Sequence, residues 1–238
     1  VGPIVASFVL GFMEYDMALP PRFSGLANFT ELFQDELFYK SLSNTVYIVV
    51  LAVPLGMLAA FSMALLLNQK VRGQAVYRTM YYIPSIVPAV ASAALWLYVL
   101  QPQWGLFNAL LEAVGIPGPG WLASEVWSKP AIIMLMVWAS GGNMIIYLAG
   151  LQDIPKEYYE AAQIDGATEF QIYRYIMLPL LSPVTLSALI ILGHMSLKVF
   201  DLIVAVAGKQ LPLDVPAIYM WQTTFDGLFY GRGAAIGI

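Results

Sequence analysis

The sequence predicts an all-α polytopic membrane protein, and three observations carry that prediction. Hydrophobic residues make up 60% of the chain, whereas charged residues make up only 11%. Long apolar runs recur along the chain, with polar segments between them. The longest runs reach the roughly 20 residues that a helix needs to cross a bilayer. They are also too long and continuous for the strands of a membrane barrel, so we expect helices.

The apolar runs predict about six membrane spans within a single transmembrane domain, residues 1–238. The first run, Val1–Met13, and the last, which opens at Gly231, are shorter than a span. We expect both to be truncated spans of a longer chain. The complete spans predicted between them are Ser43–Asn68, Met80–Leu100, Ala131–Leu151 and Leu178–Ala207. Prolines within them, such as Pro88, predict either local kinks or a gating hinge.

The cations predict the orientation in the membrane. Lys70, Arg72 and Arg78 lie in or beside one short loop, and Lys156 and Arg174 lie in the loop two spans later. Loops rich in Lys and Arg stay in the cytoplasm. We therefore expect both of these loops to be cytoplasmic, in a multi-pass protein of the cell membrane.

Composition argues against several other functions. The net charge is −4 without a basic tract, which argues against a nucleic-acid partner. The chain has no cysteine and one histidine, His194, which argues against thiol catalysis and a His-rich or Cys-based metal site. The segment AVAGKQ lacks the first glycine and the hydroxyl residue of a P-loop. We therefore expect neither enzyme activity nor a cofactor in this chain.

The loop of residues 152–178 is polar and carries helix signals. Pro155 suits the first turn of a helix, and Gly166 suits its C-terminal cap. Thr168 and Gln171 have capping-box spacing, which predicts a second helix directly after the glycine. A rigid, partly apolar pair of helices outside the membrane suits docking into a groove of another protein. A helix lying on anionic lipid is the alternative, which the excess of acids over bases in this loop disfavours.

The segment EYYEAAQIDGATEFQIYRYIMLPLL resembles the EAA loop of membrane subunits of binding-protein-dependent ABC importers. The matching positions are Glu160, Ala161, Ala162, Asp165, Gly166, Ala167, Phe170, Ile176, Leu178 and Pro179. The resemblance implies the type I permease fold and a cytoplasmic coupling helix that sits in a cleft of the ATP-binding subunit. It also implies that Glu160 pairs with a basic residue of that subunit.

Further segments resemble the carbohydrate branch, which includes maltose and glycerol-phosphate permeases. These are GNMIIYLAGLQDIPKEYYEAA, GLFNALLEAVGIPGPGWL and KVFDLIVAV. Relatives commonly follow the last of these with GGGP, whereas this chain has GKQLPLD, so the resemblance leaves the substrate open. His194–Ile238 also resembles monosaccharide (glucose/mannose-type) permeases. The resemblance implies an ATP-binding cassette dimer holding ATP and magnesium, a second permease subunit and an extracytoplasmic solute-binding protein as partners.

Two arguments predict the residues of the substrate path. Ionisable side chains within a span are costly and indicate either function or a structural ion pair. The last complete span contains three of them, His194, Lys198 and Asp201, at the spacing of one helix face. The family resemblance implies substrate contacts in the middle of the fourth and fifth spans. Those positions are Trp138, Gly142, Met195, Ser196 and Val199, with Asn143 a further polar candidate.

Two other function classes remain open at this stage. A secondary transporter would show inverted repeats and buried ion-coupling acids, and Lys198/Asp201 is the clear pair of this kind in the sequence. A membrane enzyme would need a cluster of catalytic side chains. The leading prediction is the transmembrane subunit of an ATP-driven sugar importer, with glycerol phosphate as an alternative substrate.

Overall fold

The computed structural model describes residues 2–69, 72–197, 200–207 and 213–238. Lys70, on which the predicted orientation partly depends, lies outside these residues, as do Lys198 and Val199 of the predicted substrate path. Most of the described residues are helical, as the apolar runs predict.

The chain begins with α1 (Gly2–Gly11) and a short antiparallel pair, β1 (Met13–Glu14) and β2 (Arg22–Phe23). A short helix, α2 (Ala27–Leu32), follows. Asn28 holds this region together, because its amide donates to the carbonyls of Gly11 at 3.0 Å and Met13 at 2.9 Å.

Helix α3 (Glu36–Asn68) is the longest helix of the described residues and contacts helices from later parts of the chain. Asp35 caps its start by accepting a hydrogen bond from the backbone of Leu37. Small residues recur at every fourth position on its buried side, which lets neighbouring helices approach closely. They are Ala52, Gly56, Ala60 and Ala64. Pro54 lies within the helix without breaking it.

The predicted span Met80–Leu100 is two helices, not one. α4 (Gln74–Ile86) and α5 (Ala89–Val99) meet at an angle of 101°. The proline at position 88 disfavours helical backbone at the residue before it. Val87 is accordingly extended, with φ −72° and ψ 131°. The local signal was visible in the sequence, but the size of the bend was not.

A loop carrying α6 (Leu106–Ala113) and a 3₁₀ turn (Trp121–Ala123) leads to α7 (Ser128–Trp138) and α8 (Gly141–Asp153). These two helices occupy the predicted span Ala131–Leu151 and bend by 43°. A methyl group on Gly141 would lie 2.0 Å from the carbonyl oxygen of Tyr81. The glycine therefore allows α8 to pack directly on the backbone of α4.

The loop after α8 contains α9 (Lys156–Ile164) and α10 (Glu169–Ile172). A π-helical turn (Tyr173–Met177) and α11 (Leu178–Leu180) continue α10. α12 (Ser182–Leu197) then departs at 61°. The predicted span Leu178–Ala207 is thus divided between α11, α12 and α13 (Phe200–Ala207).

Within the described residues, α3 alone is long and apolar enough to cross a membrane. Up to four spans result if each bent pair counts as one. The predicted number of about six therefore stays a prediction.

The last elements are α14 (Pro216–Trp221), a π-helical turn (Gln222–Asp226) and α15 (Tyr230–Ile236). α15 packs against α1 and α2. Arg232 of α15 lies 3.4 Å from the Asp35 carboxylate and 3.7 Å from that of Glu31. Tyr219 of α14 donates its hydroxyl to Asp35 as well. The start of α3 is therefore tied to the C-terminal helices.

Two buried apolar clusters lie along α3. The first surrounds Ile48 and Ala52 with side chains of α5, α7 and α13. The second surrounds Ala60, Ala64 and Leu67 with side chains of α8 and α12.

Candidate functional site

The 152–178 loop folds as two helices joined by a glycine elbow. Pro155 occupies the N-cap of α9, one position before the first turn in which the sequence places it. After α9, Gly166 has φ +74°, a left-handed conformation that glycine adopts without steric cost. The N–H of Ala167 donates to the carbonyl of Ala162 at 2.9 Å, and that of Gly166 to Gln163 at 3.1 Å. This is the Schellman arrangement, which fixes the direction in which the chain leaves α9.

The second helix starts at once through a capping box. The Gln171 side chain accepts from the backbone N–H of Thr168 at 2.7 Å, and the Thr168 hydroxyl accepts from the N–H of Gln171 at 3.3 Å. These reciprocal bonds satisfy backbone donors that would otherwise lack partners. Both predicted features of the elbow are therefore present in the structure.

The loop is anchored at the Asn68 end of α3. Tyr159 packs against the second apolar cluster, and burial raises the pKa of its hydroxyl. Tyr173 lies with its ring centroid 6.2 Å from that of Phe61 in α3. The loop therefore packs directly against the helices of this cluster.

Most of the predicted docking residues face outward. Glu160, Ala161, Asp165 and Gly166 are exposed, Ala167 is half-buried and Ala162 is buried. Large apolar side chains beside them are also exposed, above all Ile164 at 86% and Phe170 at 71%. An exposed apolar patch with polar neighbours indicates a protein contact surface.

A second feature is a cavity of about 550 Å³ between the helices that surround the α4–α5 bend. Predicted substrate-path residues line it together: Trp138, Gly142, Asn143, His194, Met195, Ser196 and Asp201. Lys198 and Val199 lie outside the described residues. Three of the side chains that line the cavity are also exposed at the surface of the chain: His194, Met195 and Asp201. The cavity therefore opens on one side to that surface.

Among the described residues, the cavity wall carries buried polar atoms without hydrogen-bond partners. They include the Asn143 Oδ1, the Ser196 Oγ and the indole Nε1 of Trp96. Leaving such groups unpaired is costly. They can therefore bind a ligand that offers both donors and acceptors, as sugar hydroxyl groups do.

Sequence reasoning missed part of this wall. Trp96 of α5 lies with its ring centroid 5.6 Å from that of Trp138, edge to face. Ser85 and Ser92 also line the cavity. The available signal was Pro88, since a break there turns residues of α4 and α5 towards one space.

Known proteins resemble this chain over nearly its whole length. A family model for the inner membrane component of binding-protein-dependent transport systems matches residues 52–236. A probable ABC transporter permease protein of Pyrococcus horikoshii is 37% identical over 239 residues, which cover 98% of this chain and 82% of that protein. The trehalose/maltose transport system permease protein MalF of Thermococcus litoralis is 34% identical, over 99% of this chain and 81% of that protein.

The fold also matches a solved structure. A chain in the crystal structure of the bacterial alginate ABC transporter, in complex with an alginate pentasaccharide-bound periplasmic protein, superposes with a TM-score of 0.85 and 26% identity. The match covers 99% of this chain and 81% of that chain.

Proposed function

Because the chain belongs to the family of inner membrane components of binding-protein-dependent transport systems, we propose that it forms half of the translocation path of an ATP-driven sugar importer. It is a permease subunit of an ABC importer and not itself an enzyme. The comparisons give no support to a secondary transporter. Our proposal concerns three further points: the coupling to ATP hydrolysis, the substrate, and the subunits that assemble with the chain.

The exposed helix–glycine–helix elbow carries the coupling proposal. Its surface combines the acid Glu160 with exposed apolar side chains, and both ends of the elbow are held by packing or hydrogen bonds. We assign residues 152–178 as the cytoplasmic coupling loop. The partner is a dimer of ATP-binding cassette subunits, which holds ATP and magnesium. Closure of that dimer moves the elbow as a rigid body and shifts α8 and α12.

The cavity carries the substrate proposal. Trp96 and Trp138 supply an aromatic wall, and Asn143 and Ser196 supply unpaired polar atoms. Aromatic faces with a few placed polar groups are typical of small-molecule sites. The open side at His194, Met195 and Asp201 is where a second, homologous permease subunit completes the path.

A sugar is the substrate class that the relatives favour. MalF of Thermococcus litoralis is named for trehalose and maltose, and the alginate transporter imports a polysaccharide. An extracytoplasmic solute-binding protein delivers it. The alginate transporter forms a complex with a periplasmic protein that holds an alginate pentasaccharide, which supports this partner. Glycerol phosphate or another solute remains the alternative, and a glucose- or mannose-type monosaccharide is one specific candidate.

Reconstitution tests the proposal. The chain is assembled in lipid vesicles with its second permease and ATP-binding subunits, and ATP hydrolysis is measured with a panel of sugar-loaded binding proteins. We expect one sugar-loaded binding protein to stimulate both hydrolysis and uptake. Uptake driven by a proton or sodium gradient without ATP would contradict the proposal.

A further inference from the structure

Helix α6 (Leu106–Ala113) carries apolar side chains on both of its faces. Phe107 and Leu111 point inward and pack against the first apolar cluster. Leu106 and Leu110 point outward and are 57% and 59% exposed, and Val114 directly after the helix is 70% exposed. The spacing of four residues aligns these three side chains in one stripe, which we call the outer stripe. Exposed apolar patches mark interaction sites, so the outer stripe needs an occupant.

The direction of the outer stripe is fixed by Asn108. Its amide Nδ2 donates to the carbonyls of Pro102 at 2.8 Å and Pro119 at 3.2 Å, and its Oδ1 accepts from Trp121 Nε1 at 2.6 Å. A methyl group at Gly118 would lie 2.2 Å from the Asn108 side chain. α6 therefore cannot roll to bury the stripe without breaking these hydrogen bonds.

The outer stripe continues the outward surface of a membrane helix. α5 exposes Val90, Leu97 and Tyr98 along its length. At its C-terminal end, the ring of Tyr98 stacks edge to face with that of Trp104 in the following loop, with centroids 4.7 Å apart, and both are exposed. Exposed tyrosine and tryptophan are typical of the boundary between lipid and water. The aromatic pair thus stands where the surface of α5 passes into the outer stripe.

The charge of the segment also fits lipid better than a soluble protein. Between Leu100 and Trp121, Glu112 is the one ionisable side chain in the sequence. It lies on α6 outside the stripe and is exposed. Docking faces for soluble partners usually use complementary charges to steer encounter and fix register. This segment offers almost none.

We propose that α6 lies flat in the boundary region of the bilayer, on the side of the membrane at which α3 begins. The outer stripe sits among the lipid acyl chains, and Tyr98 with Trp104 sits at the headgroups. The inward face of the same helix reaches the substrate cavity, because the ring centroid of Phe107 lies 6.0 Å from that of Trp96. Lipid thereby holds one wall of the cavity in place.

The chain lacks cysteine, which makes a direct test feasible. Leu106→Cys and Leu110→Cys are labelled with an environment-sensitive fluorophore in the complete importer, assembled with cysteine-free partner subunits in lipid nanodiscs. Glu112→Cys is the matched control on the same helix. All three side chains are exposed, so none of the variants should disturb packing.

We expect labels at 106 and 110 to emit at shorter wavelength than the label at 112. Brominated lipid should quench them and aqueous iodide should not, with the reverse at 112. Adding the sugar-loaded binding protein should leave this pattern unchanged. Equal iodide quenching at 110 and 112 would overturn the proposal, because the stripe would then face water. Protection from both quenchers, with or without the binding protein, would also overturn it and indicate a protein occupant.

Discussion

The guanidinium of Arg232 lies 3.4 Å from the carboxylate of Asp35, although the two residues are 197 positions apart in the chain. Asp35 simultaneously caps α3 and accepts the hydroxyl of Tyr219. One carboxylate thus joins α3 to two C-terminal helices. From this arrangement we expect the stability of the protein to depend on pH in acid.

The Asp35 carboxylate should stabilise the protein only while it is ionised. The hydroxyl of Tyr219 holds the pKa of Asp35 below its usual 3.8, with help from the Leu37 N–H and Arg232 and against the opposing effect of burial. The stabilisation is therefore complete above the unfolded pKa and is lost as pH falls through the folded value. We expect thermal unfolding of the purified protein to shift to lower temperature as pH falls from about 5 to below 3.8.

Asp35→Asn should remove that acid-dependent part of the unfolding profile. It should also destabilise the protein at neutral pH by about 1–3 kcal/mol, because a charged hydrogen-bond acceptor is lost. Glu36→Gln, at the exposed neighbouring position, is the control and should keep the acid-dependent shift. An Asp35→Asn profile that still follows the native one in acid would show that another group is responsible.

Reversing the charge of Glu160 should separate ATP hydrolysis from uptake. Glu160 is exposed on α9 at the surface proposed to meet the ATP-binding subunit. In Glu160→Lys we expect transport to be lost, with hydrolysis either uncoupled from the sugar-loaded binding protein or absent because the complex does not assemble. Glu157→Lys makes the same charge change one turn earlier and should have the smaller effect. Normal transport by Glu160→Lys would contradict the coupling role.

Ser196→Ala should lower transport without lowering stability. The Ser196 hydroxyl is buried, lines the cavity and has no hydrogen-bond partner in the part of the chain that the structure describes. A buried unpaired polar group costs about 1–3 kcal/mol, so its removal should leave the unfolding temperature unchanged or raised. Ser187→Ala, which removes an exposed hydroxyl from the same helix, is the control for transport. Unchanged sugar affinity and uptake rate in Ser196→Ala would exclude this hydroxyl from the substrate path.

The neighbouring glycines at positions 141 and 142 should respond differently to alanine. A methyl group at Gly141 would clash with the backbone of Tyr81, whereas one at Gly142 would lie 3.8 Å from the hydroxyl of Ser85. Gly141→Ala should therefore destabilise the protein by about 1–3 kcal/mol by forcing α4 away from α8. Gly142→Ala should fold normally and place its methyl group in the cavity. We therefore expect any effect of this substitution on the rate of sugar uptake and not on the unfolding temperature. Equal unfolding temperatures for the two variants would contradict the close α4–α8 contact.

The sequence predicted most accurately those features of the structure that a short segment determines by itself. Gly166, Thr168 and Gln171 lie within six positions of one another, and their backbone chemistry defines the elbow without help from distant residues. The helical class follows equally directly from the long apolar runs. Whether the elbow couples to ATP hydrolysis stays a prediction.

The sequence predicted least well what distant residues determine. The helix break at Pro88 has a local cause, but no local signal gives its 101° angle, and the close approach of α8 to α4 at Gly141 joins residues far apart in the sequence. The pairing of Asp35 with Tyr219 and Arg232 had no local signal, since each residue is unremarkable among its sequence neighbours. Trp96 was missed although Pro88 signals the helix break, because the size of the α4–α5 bend brings this side chain to the cavity. Seven predicted path residues do share that cavity, and their role in transport stays a prediction.

The packing of α15 against α1 and α2 also constrains the order in which the protein can fold. α1 and α2 find their packing partner in α15, which the ribosome makes last among the described helices. The surfaces of α1 and α2 that contact α15 therefore stay exposed while the segments between α2 and α15 are synthesised and inserted. Such long-range closure is slow, because distant parts of the chain must be brought together first. If synthesis stops before α15, these surfaces stay exposed, and cellular quality control can recognise them.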